Sequence, residues 1–197
     1  MDAVILRCAT SYFLKSEMKI QDVLNILIIT PIVTTMSTDE KWIVLMRGAS
    51  GSGKSYLANQ ISIKHRNARR TVVTCSADAY FNGVFDKSKL QDAHDSCKEN
   101  VEAAMKKGIL TIIVDNTNIK IVELMPYIVL AVKYGYKVNQ SKTTTAWNHS
   151  IDELFRKSVH NVPLDTIRWQ LKTFEHISVS QLTQIVNDVD QSLKQVE

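Results

Sequence analysis

Apolar positions recur along this 197-residue chain in two rhythms. Short apolar or β-branched runs at 42–46, 71–76 and 109–114 are too brief for helices and read as strands buried on both faces. A fourth run, 136–138, is cut short by Asn139, Gln140 and Ser141 and predicts only a weak strand. Between the runs the period lengthens to that of a helix. One helix follows a glycine-rich turn and extends to about His65. A second covers 90–107 and closes at Gly108, and a third covers 121–133, with Pro126 in its first turns and Gly135 at its end. Ser150-Ile151-Asp152-Glu153 is a capping box opening a further helix, and Pro163 occupies the first position of the next. Leu182, Ile185, Val186, Val189 and Leu193 mark a last amphipathic helix.

Strands alternating with helices predict an α/β fold, a three-layer αβα sandwich around a short parallel sheet. In that architecture ligands bind where the strands end. The residues after each strand therefore carry the functional reading. After the first lies Gly48-Ala49-Ser50-Gly51-Ser52-Gly53-Lys54-Ser55, which fits the Walker A P-loop and places the fold among P-loop NTPases. The glycines let the backbone curl so that loop and helix N–H groups converge on phosphate oxygens. The predicted nucleotide contacts are Gly48, Ala49, Ser50, Gly51, Ser52, Gly53, Lys54, Ser55 and Tyr56. Lys54 reaches the β- and γ-phosphates, and Ser55 ligates Mg²⁺. After the second strand Asp78 is a candidate base for an acceptor hydroxyl, with a turn cap as the competing reading. After the third, Asp115 resembles a Walker B acid that holds Mg²⁺ or its water shell. Asn118 either orients a substrate or caps the next helix. Arg156 and Lys157, on the helix opened by Ser150, either cover the transferred phosphoryl group or form a solvated face.

Charge changes the picture locally. The net charge is +4, yet residues 41–70 carry seven basic side chains and no acid, so the remainder is net −3. Lys54 accounts for one of the seven. Lys64, His65, Arg66, Arg69 and Arg70 form either a solvated helix end or a track for a polyanion. Three cysteines, Cys8, Cys75 and Cys97, without a Cys-x-x-Cys pair, predict no disulfide framework or zinc site and a reducing compartment. No apolar run is long enough to span a bilayer, so the expectation is a soluble intracellular protein, cytoplasmic or nuclear. His94-Asp95-Ser96 and His176-Ile177-Ser178 imitate paired phosphodiesterase motifs, but His94 falls inside a predicted helix.

The organisation expected is an N-terminal extension over 1–40, a kinase-like domain over 41–176 and the amphipathic helix over 177–197. In the extension Ile20, Val23, Leu24, Leu27 and Ile28 share one helical face, which Pro31 ends, and Met36 offers a second start of translation. Both terminal amphipathic stretches are candidate contact surfaces for a protein partner.

Taken together the motifs resemble the NEDD-four-binding protein two-like family. Those are P-loop proteins related to polynucleotide kinases and to the kinase-like half of the myelin cyclic-nucleotide phosphodiesterase. The resemblance runs through Arg47-Gly48 and the P-loop, Ser76-x-Asp78-x-Tyr80-Phe81, Leu90-x-x-Ala93-His94 and Asp115-Asn116-Thr117-Asn118. It continues through Pro126-Tyr127, Gly135-Tyr136, Trp147, Glu153-Leu154 and His160-x-Val162. It implies ATP and Mg²⁺ binding, Asp78 as base, and phosphorylation of an RNA or DNA 5′-hydroxyl. The chain departs from the family at Lys142-Thr143, where Glu-Pro is usual, at Ala146 and at Lys157-Ser158. Those departures keep open an alternative, a catalytically weak nucleotide-binding adaptor.

Overall fold

A computed structural model describes residues 39–81, 86–159 and 162–195. The expected N-terminal helix and Met36 lie outside the described residues. Four strands, β1 (Trp42–Arg47), β2 (Val72–Cys75), β3 (Thr111–Val114) and β4 (Lys137–Lys142), form one parallel sheet in the order β2-β3-β1-β4. The helices are α1 (Lys54–Asn67), α2 (Leu90–Lys106), α3 (Met125–Tyr134), α4 (Ile151–Lys157), α5 (Leu164–Thr173) and α6 (Val179–Lys194).

The period-two rule sorts the strand residues. Ile43, Leu45, Ile112 and Val114 join the main core with Cys97 and Val101 of α2, Ile128 and Ala131 of α3, and Leu182 of α6. The intervening Val44, Met46 and Ile113 are equally buried, as are Leu57, Ala58 and Ile61 of α1, which contacts β1, β2 and β3. Helix thus covers both faces, giving the expected αβα sandwich.

The structure corrects several expectations. The third helix starts later than its periodicity suggests: Ile121–Glu123 is a separate 3₁₀ turn, and Pro126 sits in the first turn of α3. Pro163 is the residue before α5, its backbone extended. Ser150 does cap α4 by accepting from the Glu153 amide, but Glu153 turns its carboxylate to Arg156 and leaves the box half made. The apolar face of α6 packs on the main core through Leu182, Ile185, Val186 and Val189, so that face is occupied by this chain and is not an open partner surface. A capping box at Ser178 and Gln181 starts this helix.

β4 is longer than its apolar content predicts, because its polar residues have work at an edge. Among the described residues it pairs only with β1, Leu45 opposite Gln140 and Arg47 opposite Lys142. Gln140 donates to the Ile177 carbonyl at 2.8 Å and accepts from Arg47 at 3.2 Å. Arg47 itself is fully buried. Its guanidinium also donates to the carbonyls of Asn118 (2.9 Å), Ile119 (3.1 Å) and Glu175 (2.7 Å) and lies 4.8 Å from the Phe174 ring centre.

The basic cluster after α1 resolves into interior struts and surface charge. It lies beyond the start of the sheet, opposite the P-loop. Arg70 is buried and donates to Thr111 Oγ1 (3.1 Å) and to the carbonyls of Leu110 and Glu40. Buried His65 meets the same hydroxyl through Nδ1 at 2.9 Å. Burial, helped by the charges of Arg70 and Lys64, pushes the His65 pKa down from 6.5 to about 4. Arg66 and Arg69 are exposed.

Two outcomes follow from these buried groups. The stability contributed by neutral His65 is fully present above its unfolded pKa and is lost as pH falls through the folded one. Urea unfolding should therefore weaken by about 3 kcal/mol more in the native chain than in His65→Gln between roughly pH 7 and pH 4. Arg47→Met leaves buried carbonyls without donors and should lower the unfolding free energy by about 3–5 kcal/mol, read from the same urea curves.

Candidate functional site

The turn from β1 to α1 crosses the carboxyl edge of the sheet. Gly48, Gly51 and Gly53 all have positive φ (148°, 77° and 90°), a conformation that a side chain disfavours. Space forbids one as well at Gly51, where a Cβ would overlap the Leu154 carbonyl of α4. The first turn of α1 has neither an acidic residue nor a side-chain cap, so its amides and partial positive charge face the loop. Lys54 opens that helix. Its buried ammonium donates to the Ala49 carbonyl at 2.9 Å. Burial lowers its pKa to about 8, and the charges of Asp115 and Asp78 work against that fall.

Asp115 directly follows β3, near Lys54 and Ser55. Burial pushes its carboxyl upward, opposed by a hydrogen bond from Ser55 and the charge of Lys54. Its Oδ1 is buried and has no hydrogen-bond partner. An orphan carboxylate oxygen beside a serine hydroxyl suits a hard divalent cation that keeps most of its water. Among the described residues no group of three or more His, Cys, Asp or Glu could hold a metal unaided.

Asp78 lies in the 3₁₀ turn Ala77–Phe81 that follows β2 and is exposed. The turn is held at its start. The Ala77 amide donates to the side chain of buried Asn116 at 2.9 Å, and the Asp78 amide donates to Ser76 Oγ at 3.1 Å. Asp78 is close enough for its charge to act on both Lys54 and Asp115. The structure therefore brings three of the predicted residues, Lys54, Asp78 and Asp115, into one electrostatic cluster, with Ser55 beside them. Tyr56 follows in the first turn of α1 with its ring exposed.

Arg156 does not join that cluster through any contact of its own. It is exposed and is held by both carboxylate oxygens of Glu153 at 2.7 and 2.6 Å. Asn118 does not cap the next helix. With a left-handed backbone (φ 44°), it donates to the Met46 carbonyl at 2.7 Å and ties the ends of β1 and β3 together. Cys75 and Cys97 are free and buried, as expected, and burial raises both thiols.

Sequence reasoning missed the outer rim of the loop. Gln170 on α5 accepts from the Ser50 amide at 2.8 Å. The Trp147 indole donates to the Gly51 carbonyl (3.1 Å) and the Thr145 hydroxyl to the Ser52 carbonyl (3.2 Å). Leu154 of α4 and Ile167 of α5 bury themselves against Ala49. Behind the same loop opens a cavity of about 400 Å³. Arg47 was the readable signal here, a lone charge ending an otherwise apolar strand, whereas nothing local marks Gln170 or the cavity.

The chain is similar to several known proteins. The AAA domain family matches residues 43–177. Human NEDD4-binding protein 2 is 32% identical over 157 residues, 79% of this chain but 9% of that protein. Rat 2′,3′-cyclic-nucleotide 3′-phosphodiesterase is 28% identical over 128 residues, 65% of this chain and 30% of that one. The chain thus spans a small part of the relatives it matches. Among solved structures, a mutant of the Mycobacterium tuberculosis APS kinase CysC aligns at 14% identity with TM-score 0.43, covering 53% of this chain and 76% of that one. The Pnkp1/Rnl/Hen1 RNA repair complex aligns at 16% identity with TM-score 0.47, covering 83% of this chain and 48% of that one. Its motifs resemble those of the NEDD4-binding-protein-2-like P-loop proteins, and with a matched segment that runs from β1 to the residue before α6's cap, the chain belongs to the AAA domain family.

Proposed function

We propose that this chain is a kinase that moves the γ-phosphoryl group of a nucleoside triphosphate to a hydroxyl. The acceptor named by the resemblance is a polynucleotide 5′-hydroxyl. The observation that carries the reading is the cluster of Lys54, at the start of α1, with Asp115 and Asp78, which follow β3 and β2. A buried ammonium and a buried carboxylate with an orphan oxygen are costly on their own. A polyphosphate with its magnesium supplies the missing counter-charge to both.

In this reading the loop amides and the α1 terminus bind the phosphate chain, and Lys54 stabilises charge that moves through the γ-phosphoryl group. Ser55 and Asp115 would hold the magnesium, which neutralises phosphate charge when bound. Asp78 takes the proton of the acceptor hydroxyl, whose oxygen forms the new bond to phosphorus. The bond from phosphorus to the β–γ bridging oxygen breaks, and the diphosphate leaves. Arg156 would reach the transferred group only by leaving Glu153.

The test is transfer from γ-labelled ATP and GTP to RNA, DNA and small hydroxyl acceptors. Lys54→Ala should abolish transfer. Asp78→Asn should retain nucleotide binding and lose on the order of 10²–10⁴-fold in rate. Wild-type rates in Asp78→Asn would remove Asp78 from the chemistry. Tight nucleotide binding without transfer to any acceptor would leave the adaptor reading in its place.

A further inference from the structure

The cavity behind the P-loop is not explained by phosphate binding. One wall is the loop itself, at Gly48, Ala49 and Ser52, and the rest comes from the ends of β1 and β4 (Arg47 and Lys142), the segment after β4, Leu171 of α5 and the stretch between α5 and α6. Its volume of about 400 Å³ lies within the range of small-ligand sites. The cavity shares Gly48, Ala49 and Ser52 with the loop, so a triphosphate seated there has this space beside it for its nucleoside. Phe174 supplies an aromatic surface of the kind that holds a base.

The polar groups facing the cavity are unbalanced. Among the described residues that line it there is no carboxylate, and its two fixed charges, Arg47 and Lys142, are both positive. Arg47 spends its guanidinium on three carbonyls and Gln140. Asn148 is also committed. Its Oδ1 accepts from Thr145 (2.6 Å) and Thr143 (3.4 Å), and its amide donates to the Thr143 carbonyl. His149, His176 and the threonine hydroxyls can donate or accept and so discriminate little. Lys142 is different. Among the described residues its ammonium makes one long hydrogen bond, 3.4 Å to the Ile177 carbonyl, and lies 5.7 Å from the Phe174 ring centre. An ammonium has three donors and no acceptor.

We propose that this cavity takes the base of the nucleotide and selects a 6-keto purine, guanine or hypoxanthine, over adenine, with Lys142 as the specificity-determining residue. The proposal rests on the nucleotide reading above and changes the ATP expected there to a keto-purine triphosphate. Guanine offers two adjacent acceptors, O6 and N7, to a lysine donor. Adenine replaces O6 with an amino group, setting donor against donor beside a positive charge. Hypoxanthine keeps O6 and lacks the 2-amino group, so it isolates the contact that Lys142 makes.

Competition binding with a fluorescent triphosphate, using the full chain and Mg²⁺, tests it. GTP and ITP should each bind at least about tenfold more tightly than ATP, a ratio within reach of one good polar contact. Lys142→Met should bring the three to similar affinities, and Lys142→Glu, which supplies an acceptor, should favour ATP. A thermal melt confirms that each variant folds. Equal affinities in the native chain, a preference for ATP, or a keto preference unchanged in Lys142→Glu would overturn the proposal while leaving the P-loop reading intact. Failure of every triphosphate to bind would overturn both.

Discussion

A single buried cation at the end of β1 sets the terms for everything above the sheet. Arg47 has no solvent to turn to, so each donor must find an acceptor inside the protein. It finds them after β3, on β4 and just before α6, three places far apart in sequence. The guanidinium therefore does for the strand ends what a disulfide does for a small secreted domain. The very next residue is Gly48, the start of the phosphate loop. The loop inherits the rigidity of this junction because nothing flexible separates the two.

The tetrapeptide after β3 extends the same junction sideways. Asp115 bonds Ser55, Asn116 holds the amide of Ala77, the Thr117 carbonyl accepts from Gly48 at 2.9 Å, and Asn118 holds Met46. Four consecutive residues thus place the ends of β1 and β2 and the first turn of α1 relative to one another. Groups meant to act on a single phosphorus atom need positions good to a fraction of an ångström, and a short stiff run achieves this better than separate loops. The outer rim is held differently, by Gln170, Trp147 and Thr145 from the segments around α4 and α5, which pack on the loop through Leu154 and Ile167.

Much of this was legible from local pattern, and the limits have physical causes. The P-loop could be read because its backbone needs glycine at fixed offsets, and Asp78 and Asp115 because strand ends face the crevice. The Ser150 capping box was half right, since Glu153 had a second suitor in Arg156. β4 was underestimated because an edge strand earns its place through backbone pairing and long-range polar bonds, not through apolar residues. The basic run after α1 could not be sorted by counting charge. Whether an arginine is a strut or a surface group depends on carbonyls some forty residues away, as with Arg70 and Leu110. Gln170 and the cavity have no local signal at all, since their partners are assembled only by the fold.

The bond from Arg47 to the Glu175 carbonyl joins residues 128 positions apart. On a ribosome this has a consequence in time. Once Arg47 has been added, its last acceptor remains unsynthesised for on the order of ten seconds at ordinary elongation rates. Until then the end of β1 carries an unmatched charge and cannot settle into a dry core. Helices can form early around local contacts, whereas β1 waits for its parallel neighbours β3 and β4, and the phosphate loop above that charge is finished only when almost the whole chain exists. A nascent chain of this kind acquires its binding site last.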